Sequence, residues 1–284
     1  MIGKIDISIR QSDLGQGDLC LESLRRRDRD PVIEPYASQL ARGNAVHAAI
    51  EVCGNHMLQH DGEPTPIDIM ERTLDALIET ECDMVEDWRE SRAKTESAIR
   101  ANFEEFYWGI APDLNPAAVE YPFRVLLDED ERRRIWLSGT IDWIDKSGRI
   151  IDWKNPSKPY KKWEKVRWDP QSTVYTYAVA HAADPDELGI PTLRQGSLTR
   201  DFELCMLVDG TAHWITIERG PSDWAALVDK CRGLADLSES DLKTWPQSWN
   251  SWYCSPTWCP NWNTCRGRHY ADLLGEGVAP WEKK

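Results

Sequence analysis

No stretch of this sequence approaches the ~20 consecutive apolar residues that a membrane-spanning helix requires, so a membrane protein is not expected. Met1 to Arg10 also lack the basic start, apolar centre and small-residue cleavage site of a secretory leader; polar and apolar types alternate there instead. The reading is a soluble, intracellular, cytoplasmic protein. Internal repeats and low-complexity segments are missing too. Basic residues are in deficit, 34 Lys and Arg against 48 Asp and Glu, for a net charge of -14. That balance excludes a protein that coats nucleic acid indiscriminately, because such binding is driven by cations displacing counterions from phosphate. A local basic channel remains compatible with it.

What is present suffices for a full core: 284 residues with 41% hydrophobic content. One elaborated domain over residues 1–284 is expected, with a helical region at 1–117, a sheet core at 118–220, and a C-terminal helix with a cysteine-rich tail at 221–284. Ser12 or Asp13 caps a first helix running toward Arg27, with Cys20 inside it or at its end. Helical spacing recurs over Ala37 to Gln59, after the Thr65-Pro66 start signal, and over Met84 to Trp108. After Pro116 the period becomes two, predicting strands over Ala118 to Leu127, Arg134 to Ile144 and Arg149 to Trp153, the last two joined by Ser147-Gly148. A helix from Pro170 to Ala183 follows, then strands Phe202 to Val208 and Ala212 to Ile217 across Asp209-Gly210. A last helix runs from Pro221 to Leu237.

Within Ile150-Ile151-Asp152-Trp153-Lys154, side chains two apart share a face, so Asp152 and Lys154 project together while Ile151 and Trp153 turn into packing. Asp142, ending the preceding strand, comes opposite them if the hairpin forms. Carboxylates of this kind hold a hard divalent ion, and a nearby amine stabilises charge developing on a phosphate. A surface ion pair on an exposed strand is the plainer reading of Asp-x-Lys alone. Five cations fall close together at Lys158, Lys161, Lys162, Lys165 and Arg167, and a second group comprises Arg25, Arg26, Arg27 and Arg29; each is a solvated face or a phosphate-binding patch.

Eight cysteines in a reducing compartment suggest metal before disulfide. Cys254, Cys259 and Cys265 lie on an aperiodic tail and imply a metal site lacking one ligand. Zinc and iron-sulfur chemistry both suit such thiols. Cys53, Cys82, Cys205 and Cys231 sit in periodic segments and read as packed thiols.

Gly139-x-x-Asp142, Asp152-x-Lys154 and Gln171-x-x-x-Tyr175, preceded by Gly43-x-x-x-His47, resemble in order and interval the motifs of RecB-type members of the PD-(D/E)XK nuclease superfamily. The resemblance implies an α/β restriction-endonuclease-like core, a central mixed sheet flanked by helices, and a DNA nuclease, expected to be an exonuclease acting at ends or single strands. It makes His47 a ligand of Mg²⁺ or Mn²⁺ together with Asp142, Asp152 and the Trp153 carbonyl. Gln171 and Tyr175 would position substrate or support Lys154, and Glu120 would be an accessory metal candidate. Gly43, one turn before His47, is expected to leave room for strand or metal beside the imidazole. An isolated Cys20 with three C-terminal cysteines is similar to iron-sulfur nucleases of the AddB and CRISPR-adaptation type, which implies a 4Fe-4S cluster tying the chain ends together, with zinc as the alternative. A helicase or recombination partner and a homo-oligomer are compatible with the resemblance. Two other classes stay open: a catalytically silent DNA-end-binding subunit, and a zinc-bearing interaction protein.

Overall fold

The computed structural model describes residues 4–181, 200–248, 251–255 and 257–265. Its architecture is organised around one long strand, β3 (Arg133–Asp145). Along one edge β3 pairs antiparallel with β2 (Pro116–Glu129) over nearly its whole length. Two shorter strands divide the other edge. β1 (Ile5–Arg10) runs parallel to Arg133–Ser138, and β4 (Ile150–Lys154) pairs antiparallel with Trp143 and Ile144. Gly139 to Asp142 therefore lie in a gap between β1 and β4, where the strand edge carries no ladder. β5 (Arg200–Val208) continues the sheet parallel to β4, and β6 (Thr211–Arg219) returns antiparallel. The β5–β6 turn places Asp209 and Gly210 at φ 47° and 77°, the left-handed pair that a two-residue hairpin needs.

The six-stranded mixed sheet separates two cores. On one face Leu137, Ile141, Ile150 and Phe202 pack with α1 (Gln11–Leu19), α7 (Pro170–Ala180) and α8 (Pro221–Glu239). On the other, Trp143, Ile151 and Trp153 lie beneath α3 (Ser38–Gln59), α4 (Ile67–Asp83) and α5 (Arg92–Glu104). Neighbours Ile150 and Ile151 thus serve opposite cores, the two-residue period at work. Trp143 and Trp153 meet edge to face at 6.0 Å, and Phe106 stands 5.3 Å from Trp153. Gly54 sets how closely α3 approaches this aromatic layer: a Cβ there would fall 2.5 Å from the Trp143 ring and 2.8 Å from Val119. No described helix is long and apolar enough to cross a membrane.

Several expectations need correction. The first helix ends at Cys20, the second of the two places expected for that residue, and does not continue toward Arg27; the backbone is extended at Cys20 and the chain resumes as α2 (Leu21–Arg29). Its start is held by Asp13, which accepts the Arg10 N–H at 2.7 Å. The region 1–117, expected to be mainly helical, also contributes β1 to the sheet, and β2 opens at Pro116. The helix expected from Met84 starts only at Arg92, because the preceding turn is pinned to the head of α3: Ser38 N–H donates to the Asp87 carbonyl and Arg89 N–H to Ser38 Oγ. The cation-rich segment contains an unforeseen helix, α6 (Lys162–Trp168). The expected helix end at Ala183 lies outside the described residues, while α7 closes at Ala180.

Candidate active site

Asp142 and β4 close the open gap in the β3 edge. Asp142 Oδ2 accepts the Trp153 backbone N–H at 2.9 Å, so the carboxylate replaces the ladder bond that the strand pairing would otherwise make. On β4, Asp152 is fully buried, and its Oδ2 lies 2.7 Å from Lys154 Nζ. Gln171, in the first turn of α7, donates to Asp152 Oδ1 at 2.6 Å and to the Tyr175 hydroxyl at 2.9 Å. Asp169 fixes that turn by capping Gln171 N–H, with Pro170 at the first helical position. One helical turn thus aims Gln171 at the carboxylate and places the Tyr175 hydroxyl behind it as an acceptor for the same amide.

From the opposite side α3 brings His47, with Nδ1 3.7 Å from Asp142 Oδ2. Glu120 stands on β2 between the pairs Val119–Trp143 and Tyr121–Ile141, hence across from Asp142, and adopts φ 47°. A left-handed glutamate within a strand is uncommon and costs of order 1–3 kcal/mol. Ligand atoms of His47, Glu120 and Asp142 all lie within 4.8 Å of one another, the one such group among the described residues. Asp152 stands beside this trio, against Lys154. The nitrogen and hard carboxylate oxygens fit a divalent cation such as Mg²⁺ or Mn²⁺.

The electrostatics match a site waiting for positive charge. Burial, and then Asp142, Glu51 and Asp152, push the Glu120 carboxyl up to about 7. Burial raises Asp152 to about 7 against the pull of the Lys154 ammonium. Burial likewise raises Asp142. Lys154 is desolvated, yet Asp152 and Asp142 hold its ammonium above the ordinary lysine range. His47 is lowered by burial and by Lys154, which leaves the neutral imidazole free to act as a ligand.

Of these groups His47, Glu120 and Lys154 line a cleft of about 860 Å³ between α3 and the end of β4. Gly43 lines it, but a Cβ there would meet nothing within 4 Å, so the expectation of a close approach at Gly43 is corrected: the tight contact is at Gly54, two turns after His47 on α3. The lining also includes Arg42, Glu51, Glu81 and Asn155, none of which was singled out from the sequence. Glu51 was within reach of sequence reasoning, being four residues after His47 and hence on the same helix face.

The cation run does not act as one patch. Lys158, Lys161 and Lys162 are exposed beside the lining residues Ser157 and Tyr160, with Lys161 3.5 Å from Glu164. Lys165 stacks over the Tyr160 ring at 4.5 Å, and Arg167 lines a separate hollow with Asp18 and Arg219. Three of the second group are engaged in internal ion pairs: Arg25 and Arg26 hold Glu22, and Arg27 holds Asp13.

Away from the cleft, Cys20, Cys254, Cys259 and Cys265 line one small cavity with Tyr253 and Arg26. Burial and the neighbouring thiols Cys20, Cys254 and Cys265 push Cys259 up to about 11, despite a hydrogen bond from the Asn261 backbone. Gln247 Nε2 donates to Cys265 Sγ at 3.2 Å. Around the thiols a polar network binds the N-terminal helices to the tail: Gln16 and Asn261 donate to Ser23 Oγ, and Gln16 also reaches the Tyr253 hydroxyl at 3.0 Å. Cys53, Cys82, Cys205 and Cys231 are buried singly in the two cores or along α4, as packed thiols.

A family model for the PD-(D/E)XK nuclease superfamily matches residues 20–266. The chain belongs to that superfamily. Its mixed sheet with flanking helices accords with the PD-(D/E)XK fold, and the superfamily's members are generally nucleases that typically use Mg²⁺ or Mn²⁺. Membership implies a nucleic-acid substrate. No curated protein matches the chain.

Proposed function

We propose that this PD-(D/E)XK protein is a single-domain, Mg²⁺- or Mn²⁺-dependent deoxyribonuclease, an exonuclease of the RecB-like, CRISPR-adaptation iron-sulfur type acting in DNA processing. The observation that carries the reading is the meeting of Asp142, Asp152 and Lys154 at the β3–β4 edge beside His47 and Glu120. His47, Glu120, Asp142 and Asp152, with the Trp153 carbonyl, would hold the metal. Once bound, a divalent ion polarises the phosphodiester and lowers the pKa of water for attack.

The protein's own groups do the rest. Lys154 stabilises negative charge growing on the phosphate and is kept protonated by Asp152 and Asp142. Gln171 clamps Asp152 and so fixes the direction of Lys154, while Tyr175 fixes Gln171. Lys158, Lys161 and Lys162 draw the DNA backbone toward the cleft of an otherwise acidic protein.

Cys20, Cys254, Cys259 and Cys265 would hold a 4Fe-4S cluster. Four thiols from the two ends of the chain around one cavity fit that role, and the cluster would tie α1 and α2 to the tail. Anaerobic purification with iron, sulfide and zinc analysis tests it; zinc without sulfide would replace the cluster reading. End-labelled single- and double-stranded DNAs incubated with Mg²⁺ or Mn²⁺ test the enzyme. Intact substrates under every condition would leave a DNA-binding subunit without turnover.

A further inference from the structure

Three buried polar atoms in the wall of the cleft have no partner in the protein. Arg42 lines the cleft yet is only 4% exposed. One terminal nitrogen donates to the Asn155 backbone carbonyl at 3.1 Å and the other lies 3.7 Å from Glu90 Oε1, while the Nε–H has no acceptor. Asn155 follows Lys154 directly and also lines the cleft. Its Oδ1 accepts from Asn102 at 3.0 Å, and its Nδ2 donates to nothing. Gln39 Oε1, on the first turn of α3, is the third.

A buried donor left unmet destabilises the fold, so two on one wall call for a ligand rich in acceptors. A guanidinium and an amide side by side suit phosphate oxygens better than any neutral group. Glu51, Glu81 and Glu120 also line the cleft, and its Arg and Lys side chains are Arg42 and Lys154, with Asn155 between them in the wall. Glu90 steadies the guanidinium without engaging Nε. The position is one step from the chemistry: Asn155 adjoins Lys154, and Arg42 precedes His47 by five residues, about 7.5 Å along a helix.

We propose that Arg42 and Asn155 form a subsite for a phosphate of the nucleic-acid strand adjacent to the one cut at Lys154. The inference rests on the nuclease reading and adds to it a residue pair that sets where the strand lies. The phosphate is either an internal diester or a terminal monoester, and these share the same recognition chemistry.

Fluorescence anisotropy of a 3′-labelled oligothymidylate, with and without a 5′-phosphate, measured in EDTA, reads binding without cleavage. Arg42→Ala and Asn155→Asp are each expected to weaken affinity by about tenfold or more, with part of the loss recovered in Arg42→Lys. In Mn²⁺ assays KM should rise by a similar factor while kcat changes less. A loss confined to the 5′-phosphorylated strand identifies a terminal phosphate, and an equal loss on both identifies an internal one. Asn155→Asp keeps the acceptor that Asn102 uses, so it decides the matter if Arg42→Ala fails to fold. Affinity and KM of a folded Asn155→Asp within about twofold of wild type on both strands would overturn the subsite. Wild-type protein that binds the strand through Arg42 but cuts nothing with any divalent ion would instead overturn the nuclease reading and leave the subsite standing.

Discussion

The Asp142 carboxylate and the Trp153 backbone N–H share a 2.9 Å hydrogen bond that joins β3 to β4 at the point where Asp142, Asp152 and Lys154 converge. Asp142 therefore has two duties, one structural and one chemical, which a single substitution separates. Asp142→Asn retains an oxygen to accept the N–H but loses the charge a cation needs. We expect the melting temperature to stay within a few degrees of wild type while Mn²⁺ affinity and cleavage fall by about a hundredfold or more. Equal activity in the two proteins would remove Asp142 from the metal site.

Buried Asp152 forms an ion pair with the half-buried Lys154 and carries Gln171 on the far oxygen. Removing Lys154 alone leaves a carboxylate uncompensated, which costs about 3–5 kcal/mol in buried pairs and less where the carboxyl can take up a proton. Replacing both members, as Asp152→Asn with Lys154→Met, should return most of the stability lost in Lys154→Met and none of the cleavage. Denaturant melts and a DNA-cutting assay on the three variants check this. Recovery of activity in the double variant would show that the pair serves only the fold.

Protons and metal compete for the same carboxylates. Glu120 and Asp152 are both pushed up to about 7 in the metal-free protein, so they are protonated below that pH and ionised above it. Mn²⁺ affinity should climb from about pH 6 to about pH 8 and then level off, with up to two protons released on binding. Glu120→Gln should remove one proton from that count. Calorimetric titration in buffers of different ionisation enthalpy measures it; an affinity flat across the range contradicts both assignments.

The junction between the first helices and the tail has its own acid limit. Burial alone would raise the Glu22 carboxyl, but hydrogen bonds from Arg25, Arg26 and the Trp245 N–H overcome it and hold the group at about 2. A depressed carboxylate adds stability above its unfolded pKa near 4.5 and loses it as pH falls toward 2. The contribution is at most about 3 kcal/mol. Wild type should therefore lose more stability than Glu22→Gln between pH 4.5 and 2 in thermal melts.

The strand that holds Asp152 and Lys154 was legible because a two-residue period survives burial on both faces, and Ser147-Gly148 marks its turn, with Gly148 at φ 86°. β1 was missed although Ile5, Ile7 and Ile9 alternate, since most of its six residues remain exposed and it pairs only with a strand more than 120 positions away. In α6 the density of lysines hid the helix. The break at Cys20 carries no glycine or proline to announce it. Gly54 carries no local signal of its close contact, which is made with Trp143, a residue 89 positions away on another element. Glu120 is foremost in space but had no spacing signal, because its geometry comes from a left-handed residue in the middle of β2.

β1 also shields Arg133–Ser138, six residues of strand edge next to the Gly139–Asp142 gap. A chain shortened to begin after Arg10 would leave that edge bare, with backbone donors and acceptors ready to pair with another molecule. Such a truncation would damage solubility before it touched any reacting group, and material lost to inclusion bodies would say nothing about chemistry.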